Sequence, residues 1–168
     1  MKWIAISGSW RLTSEKVESD VRREVADIIN SGNGIVSGGA LNVDYFATDE
    51  AMKLNTDFNQ IKIFLPTTLE IYAKHYRKRA DEGVITHDQA EELVAQLSKL
   101  KEINSDSLIE NIANQVVDKT TYYERNLEVV NAADELLAFH VNGSDGVRDT
   151  INKAKEKGIP VRVIEYEI

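Results

Sequence analysis

Three glycine turns, each placed directly after a short apolar run and each followed by a segment of helical periodicity, constrain this chain most. They are Ser7-Gly8-Ser9-Trp10-Arg11, Ser37-Gly38-Gly39-Ala40 and Asn142-Gly143-Ser144-Asp145-Gly146. Strand, glycine turn and helix in succession aim backbone N–H groups at an anion and add the positive end of a helix dipole. Three such turns at one edge of a parallel sheet would form a single pocket. The arrangement points to a nucleotide-like small molecule and leaves open whether that ligand is transformed or only held.

The apolar runs predict five buried strands, at residues 3–6, 35–36, 61–65, 136–139 and 161–164. They are continuous rather than alternating, as in a sheet covered on both faces. Helical stripes fill the gaps. Val17, Val21, Val25, Ile28 and Ile29 form one, with Thr13 or Ser14 as cap and Gly32 as stop. Val43, Phe46, Ala47, Ala51 and Leu54 form a second, and Leu69, Tyr72, Ala73, Tyr76 and Ala80 a third that stops near Gly83. The last carries Val147, Ile151 and Ala154 and ends at Gly158, just before Pro160. The fold class that follows is α/β, an open parallel sheet of about five strands with helices on both faces.

One segment interrupts the alternation. Thr86 to Gln89 reads as a capping box opening a helix with Ala90, Leu93, Val94, Leu97 and Leu100 on one face. Ser107 to Glu110 reads as a second box, before Ile112, Ala113, Val116 and Val117. Thr121 to Glu124 reads as a third, before Leu127 and Val130. Residues 84–119 are therefore expected to form a helical hairpin inserted before the fourth strand. It would serve as a lid, a homodimer surface or simple extra packing. The whole chain, 1–168, is expected to be one domain, since 168 residues suffice for a single buried core.

Several classes are argued against. The net charge is −8, and proteins that hold a nucleic-acid backbone usually present a positive field, so nucleic acid is not the expected partner. The one dense basic stretch, Lys74-His75-Tyr76-Arg77-Lys78-Arg79, is either a solvated helix face or a rim that attracts phosphate. There is no cysteine, and His75, His87 and His140 show no ligand spacing, so neither a metal nor a cofactor is expected. No run reaches membrane-spanning length, and the start lacks the features of a signal peptide, so a cytoplasmic protein without membrane contact is expected. GxGxxG after the first strand, GxxxxGK[ST] and GxSxG are all absent.

Within the turns, Gly8 allows a tight bend and close ligand approach, Ser9 can donate a hydrogen bond, and Arg11 offers a planar fork to phosphate or carboxylate. Ser37, Gly38 and Gly39 would let the backbone curve around a ligand. Asp44 would complement a helix dipole or hold a ribose hydroxyl. Gly143, Ser144 and Gly146 frame a loop with N–H groups to present. Asp145 within it must point outward to spare a phosphate, and Asp149 follows in the first turn of the next helix. Arg125 and Asn126 lie off the Leu127 and Val130 stripe, and Glu124 is the expected capping partner of Thr121.

The segments GSWR, VSGGALNVDYFATDEAM, YERN and NGSDGVRDTINKAKEKGIPV together resemble the SLOG superfamily over about residues 1–66 and 121–168. Those Rossmann-like proteins include the DNA-processing protein A (Smf) domain and the phosphoribohydrolases often misnamed lysine decarboxylases. SGGA-x-x-VD looks closest to the DNA-processing branch. The resemblance implies a nucleotide-derived ligand at the C-terminal edge of the sheet, and relatives that commonly dimerise. In the phosphoribohydrolases an arginine before the fourth strand and a glutamate after a PGGxGT loop carry catalysis. Arg125 matches the first in position and Asp149 the second, one methylene shorter. Asn142, Ser144 and Val147 depart from that loop's proline, second glycine and threonine. Three readings follow: a binding module, an N-glycosidase of nucleoside 5′-monophosphates using Arg125 and Asp149, and a single-stranded nucleic-acid binder.

Overall fold

The computed structural model describes all residues, Met1–Ile168. The elements in chain order are β1 (Trp3–Gly8), α1 (Glu15–Asn30), β2 (Gly34–Ser37), α2 (Val43–Leu54), β3 (Ile61–Phe64), α3 (Leu69–Asp81), α4 (His87–Ile103), β4 (Leu108–Ile109), α5 (Lys119–Asn131), β5 (Glu135–Val141), α6 (Asp145–Lys157) and β6 (Val161–Tyr166). A single 3-10 turn, Ser105–Ser107, precedes β4.

Strand alternation sorts the core into two layers. Ile4, Ile6, Ile35, Ile61, Ile63, Leu137 and Phe139 face one side and pack with α1, α2, α3 and α4. Ala5, Val36, Leu136 and Ala138 face the other, against Val129 and Val130 of α5 and Val147, Ile151 and Ala154 of α6. The larger side chains lie under the four-helix layer and the smaller ones under the two-helix layer. Both faces are thus covered, as the unbroken apolar runs require.

All strand pairs are parallel, in the order β4-β3-β2-β1-β5-β6. The chain winds outward from β1 through β2 and β3, then crosses back to place β5 on the other side of β1. The Rossmann-like order therefore has its switch point between β1 and β5, where the carboxyl ends of the strands open a crevice.

The sheet has six strands rather than five, because the segment expected to form the second helix of a hairpin does something else. Leu108 and Ile109 pair with Ile63 and Phe64, and the Leu65 N–H donates to the Ile109 carbonyl at 2.9 Å. The Ser107 hydroxyl donates to the Phe58 carbonyl at 2.6 Å, and Glu110 accepts from the Leu69 N–H at 2.8 Å, so the expected Ser107–Glu110 box does not form. Beyond it, the Asn111 side chain accepts from the N–H groups of Ala113 and Asn114, a turn that competes directly with a helix. Ile112 and Val116 stay exposed, with no surface to bury against.

The segment 84–119 therefore holds one helix, a short edge strand and a loop. Its first box is real: Thr86 and Gln89 cap each other at the start of α4. The third shifts by one turn. Asp118, a stronger cap than threonine, takes the N-cap of α5 with Thr121 as its reciprocal partner. Glu124 is left to accept from Asn114 Nδ2 at 3.0 Å.

Candidate functional site

The crevice at the switch point holds a cavity of about 320 Å³. Residues from all three glycine-turn regions line it. Ser7 to Trp10 come from the end of β1, Gly38, Ala40 and Asp44 from the corner leading into α2, and Ser144, Gly146, Val147 and Thr150 from the start of α6. Lys119, Tyr122, Tyr123, Arg125, Asn126 and Val129 of α5 form the remaining wall.

The β5–α6 corner supplies donors. Asn142 and Gly143 take positive φ, 49° and 64°, and turn the chain sharply into α6. Ser144 is the N-cap by position, yet its side chain makes no capping bond and its Oγ is buried without a partner. The Arg148 N–H bonds the Ser144 carbonyl, but no acceptor within the chain takes the N–H groups of Asp145, Gly146 or Val147. Free N–H groups at a helix start attract anions, and the helix dipole reinforces them. Asp145 is exposed and pairs with Arg148 at 3.3 Å, the outward placement a phosphate here would need.

His140 braces this corner from below. Its Nδ1 lies 3.1 Å from Glu165 and its Nε2 3.1 Å from the Ser144 carbonyl. From the side, Asn142 exchanges hydrogen bonds with the backbone of Ile168.

At the opposite wall, buried Arg125 donates to the Gly38 carbonyl and lies 5.3 Å from the centroid of the Tyr122 ring. Burial opposes its charge, but Tyr72 and Asp44 nearby outweigh that effect and shift its pKa upward. Burial pushes the Asp44 carboxyl up, with Arg125 acting in the other direction. Asp44 accepts from the Ala40 N–H at 3.1 Å and so ties the second glycine turn to the first turn of α2. Behind it, the Tyr72 hydroxyl donates to the Gly39 carbonyl at 3.0 Å.

Gly38 is glycine because of Arg125: an added Cβ would lie 2.5 Å from the guanidinium carbon. Gly8 is fixed by packing, since a Cβ there would collide with Val43 of α2. Its expected service to a ligand is thus joined by a service to the core.

The sequence candidates divide clearly. Gly8, Ser9, Gly38, Asp44, Arg125, Asn126, Ser144 and Gly146 come together on the cavity. Ser9 also accepts from the Leu12 N–H at 3.2 Å, which shapes the first turn. Ser37, Gly39, Gly143, Arg11 and Asp149 are not among its lining residues. Ser37 is buried within the sheet and donates to the Ile6 carbonyl. Gly143 accepts from Arg148. Arg11 points to a neighbouring cavity. Asp149 is held by Lys153 at 2.5 Å and by Asn126 at 3.1 Å. Sequence reasoning passed over the wall made by Lys119, Tyr122 and Tyr123, and the exposed Trp10. The i, i+3, i+4 spacing of Lys119, Tyr122 and Tyr123 at a helix start was the signal available.

No group of three His, Cys, Asp or Glu side chains is arranged to hold a metal ion. No helix is long and apolar enough to cross a membrane.

Neither a family model nor a curated protein matches the sequence. Solved structures do match in shape. One is DNA processing protein A from Helicobacter pylori, described for its single-stranded DNA binding mode, with TM-score 0.68 and 20% identity. The alignment covers 96% of this chain and 64% of that one, so this chain spans less than two thirds of it. Another is the molybdenum cofactor binding protein from the phototrophic bacterium Rippkaea orientalis, with TM-score 0.63, 15% identity, and coverage of 98% and 77%. DNA processing protein A from Streptococcus pneumoniae gives TM-score 0.52, 15% identity, and coverage of 96% and 58%. These likenesses establish the fold, a Rossmann-like α/β sheet of the kind the SLOG resemblance implied. They lend no support to the charge-based expectation against nucleic acid.

Proposed function

We propose that this chain binds a nucleotide-type ligand in the crevice between β1 and β5, and acts as a binding module. One observation carries the reading: three separate strand–helix corners converge on one cavity whose α6 side offers backbone donors that the chain leaves unused. A phosphate would sit on the N–H groups of residues 145–147, with Ser144 Oγ as a further donor. The ribose would face Asp44, which lines the cavity, and the base would lie against Tyr122, Tyr123 and Trp10. A cavity of about 320 Å³ falls at the small end of ligand sites, which suits one nucleotide unit. The fold neighbours are described for binding single-stranded DNA and a molybdenum cofactor, so an anionic ligand suits this kind of crevice.

Hydrolysis of an N-glycosidic bond fits less well. That reading assigns the reacting carboxylate to Asp149, which is engaged by Lys153 and Asn126 and does not line the cavity.

Thermal unfolding with a panel of nucleoside 5′-monophosphates, matched nucleosides and inorganic phosphate tests the proposal. Monophosphates should raise the melting temperature, by an amount equivalent to about 2.7 kcal/mol at a hundred times the dissociation constant. Nucleosides should act weakly, and chromatography should find no free base. No shift with any monophosphate would sink the binding reading, and steady base release would replace it with the hydrolytic one.

A further inference from the structure

A second cavity, of about 360 Å³, opens beside the first and shares Trp10, Lys119 and Tyr122 with it. Its other walls are Arg11 from the β1–α1 loop, His75, Tyr76 and Arg79 on one face of α3, and Val117 and Asp118 before α5. The two cavities adjoin along Trp10, Lys119 and Tyr122.

The chemistry of this second chamber is uneven. Arg11 and Lys119 lie near aromatic rings, 5.8 Å from Trp10 and 5.4 Å from Tyr123, rather than in ion pairs. Arg79 pairs with Glu82 at 3.0 Å near the surface. The single lining carboxylate, Asp118, is committed to capping α5 through the Thr121 N–H. His75 packs edge-on against Tyr76 and Tyr122, with centroids 5.6 and 6.4 Å away. Its pKa is lowered by burial first and then by Arg79, so it is a neutral hydrogen-bonding group at neutral pH. On a chain of net charge −8, unpaired cations beside aromatic rings where the two cavities adjoin are a local reversal of sign. Cations tracking a backbone beside stacking platforms are what successive nucleotides require.

We propose that the second cavity is a subsite for a second nucleotide unit. The ligand is then two nucleotides joined through phosphate, with the linking phosphate at Lys119 and Arg11 and the second base against Trp10 and His75. This rests on the nucleotide-binding reading of the first cavity and adds the length of the ligand to it. A free dinucleotide and a stretch of single strand share this chemistry.

Calorimetric titration of the full chain compares deoxyadenosine 5′-monophosphate, the 5′-phosphorylated deoxyadenosine dinucleotide and a ten-unit deoxyadenosine strand. The dinucleotide should bind on the order of tenfold tighter than the monophosphate, as one added stacked base and one added phosphate imply. Its log Kd against log salt should be steeper by about 0.7 for the added phosphate. His75→Ala and Arg11→Ala should erase that gain and leave monophosphate affinity unchanged, since neither residue lines the first cavity, which also certifies that the variants fold. A ten-unit strand binding as well as the dinucleotide assigns the adjoining cavities to strands, whereas its exclusion assigns them to free dinucleotides. Equal affinity for the dinucleotide and the monophosphate would overturn the second subsite and leave the first reading intact. So would variants that weaken both ligands alike. Dinucleotide binding without monophosphate binding would keep the two-unit site and discard the single-nucleotide reading. Binding of none of the three would discard both.

Discussion

Two corners at the same edge of the sheet, β3 into α3 and β5 into α6, are built alike and finished differently. The first is sealed from within. Thr68 caps α3 through the Ile71 N–H, and Glu110 reaches across from the loop after β4 to take the Leu69 N–H, with Lys101 holding it at 2.7 Å. At the second, Ser144 stands at the cap position without capping, and the N–H groups of residues 145–147 find no acceptor within the chain. Helices α1, α4 and α5 resemble α3, each beginning under its own side-chain oxygen. A helix start at a sheet edge is therefore not in itself a binding site. Only α2 shares the uncapped start of α6, and its corner lines the same crevice, so the two helix starts to which the chain gives no side-chain acceptor both meet at the cavity.

The strongest way to break the contrast is to collapse the wall opposite the open corner. Arg125→Met strands the Asp44 carboxyl in a buried position and leaves the Gly38 carbonyl unpaired. A loss of about 3–5 kcal/mol in urea unfolding is expected, with ligand binding abolished. Gly38→Ala should act through the same arginine by pushing the guanidinium aside, at about 1–3 kcal/mol. Wild-type stability in Gly38→Ala would show that Arg125 has room to yield.

Exchanging the finishes of the two corners sharpens the contrast. Ser144→Asp supplies the missing acceptor, so the free protein should gain about 1 kcal/mol while monophosphate affinity falls on the order of tenfold. Thr68→Ala should cost about 1 kcal/mol and leave affinity untouched. Calorimetry on both variants reads the two effects apart, and a Ser144→Asp protein that binds normally would move the phosphate away from α6.

The smallest effect concerns the frame behind the open corner. The Tyr166 hydroxyl donates to Asp20 at 2.8 Å and, ahead of Lys16 and Arg23, holds that carboxyl below its ordinary value of 3.8. A lowered carboxyl stabilises the fold above its unfolded pKa, and that contribution disappears as pH falls through the folded value. Tyr166→Phe should therefore lose up to about 1 kcal/mol near neutrality and progressively less below pH about 3.8. A loss that did not change with pH would locate the hydroxyl's contribution elsewhere.

Much of this was legible in the residues. Continuous apolar runs gave a sheet covered on both faces, and each of the three glycine turns supplies residues to the crevice. The parts that were not legible depended on partners distant in sequence. Leu108 and Ile109 became a strand because Ile63 and Phe64 offered an edge, which no local period records. Ile112 and Val116 had no surface to cover, and Asn111 turned the chain away from a helix there. Asp149 looked available until Lys153, one turn later, proved to hold it. The aromatic wall was visible as Tyr122 and Tyr123, but its relation to Trp10 is set by the crossover from β4 to β5, which the sequence does not display.

The two margins of the sheet are unequal. On one side, β4 exposes only two residues before the chain turns away, too short a stretch to template another strand. On the other, β6 presents six, with Arg162 and Glu165 exposed on opposite faces, Arg162 bound to Glu24 and Glu165 beside His140. A stranger's backbone seeking to extend this sheet would meet a blunt end at one border and a charged one at the other, so the fold discourages fibrillar stacking at both.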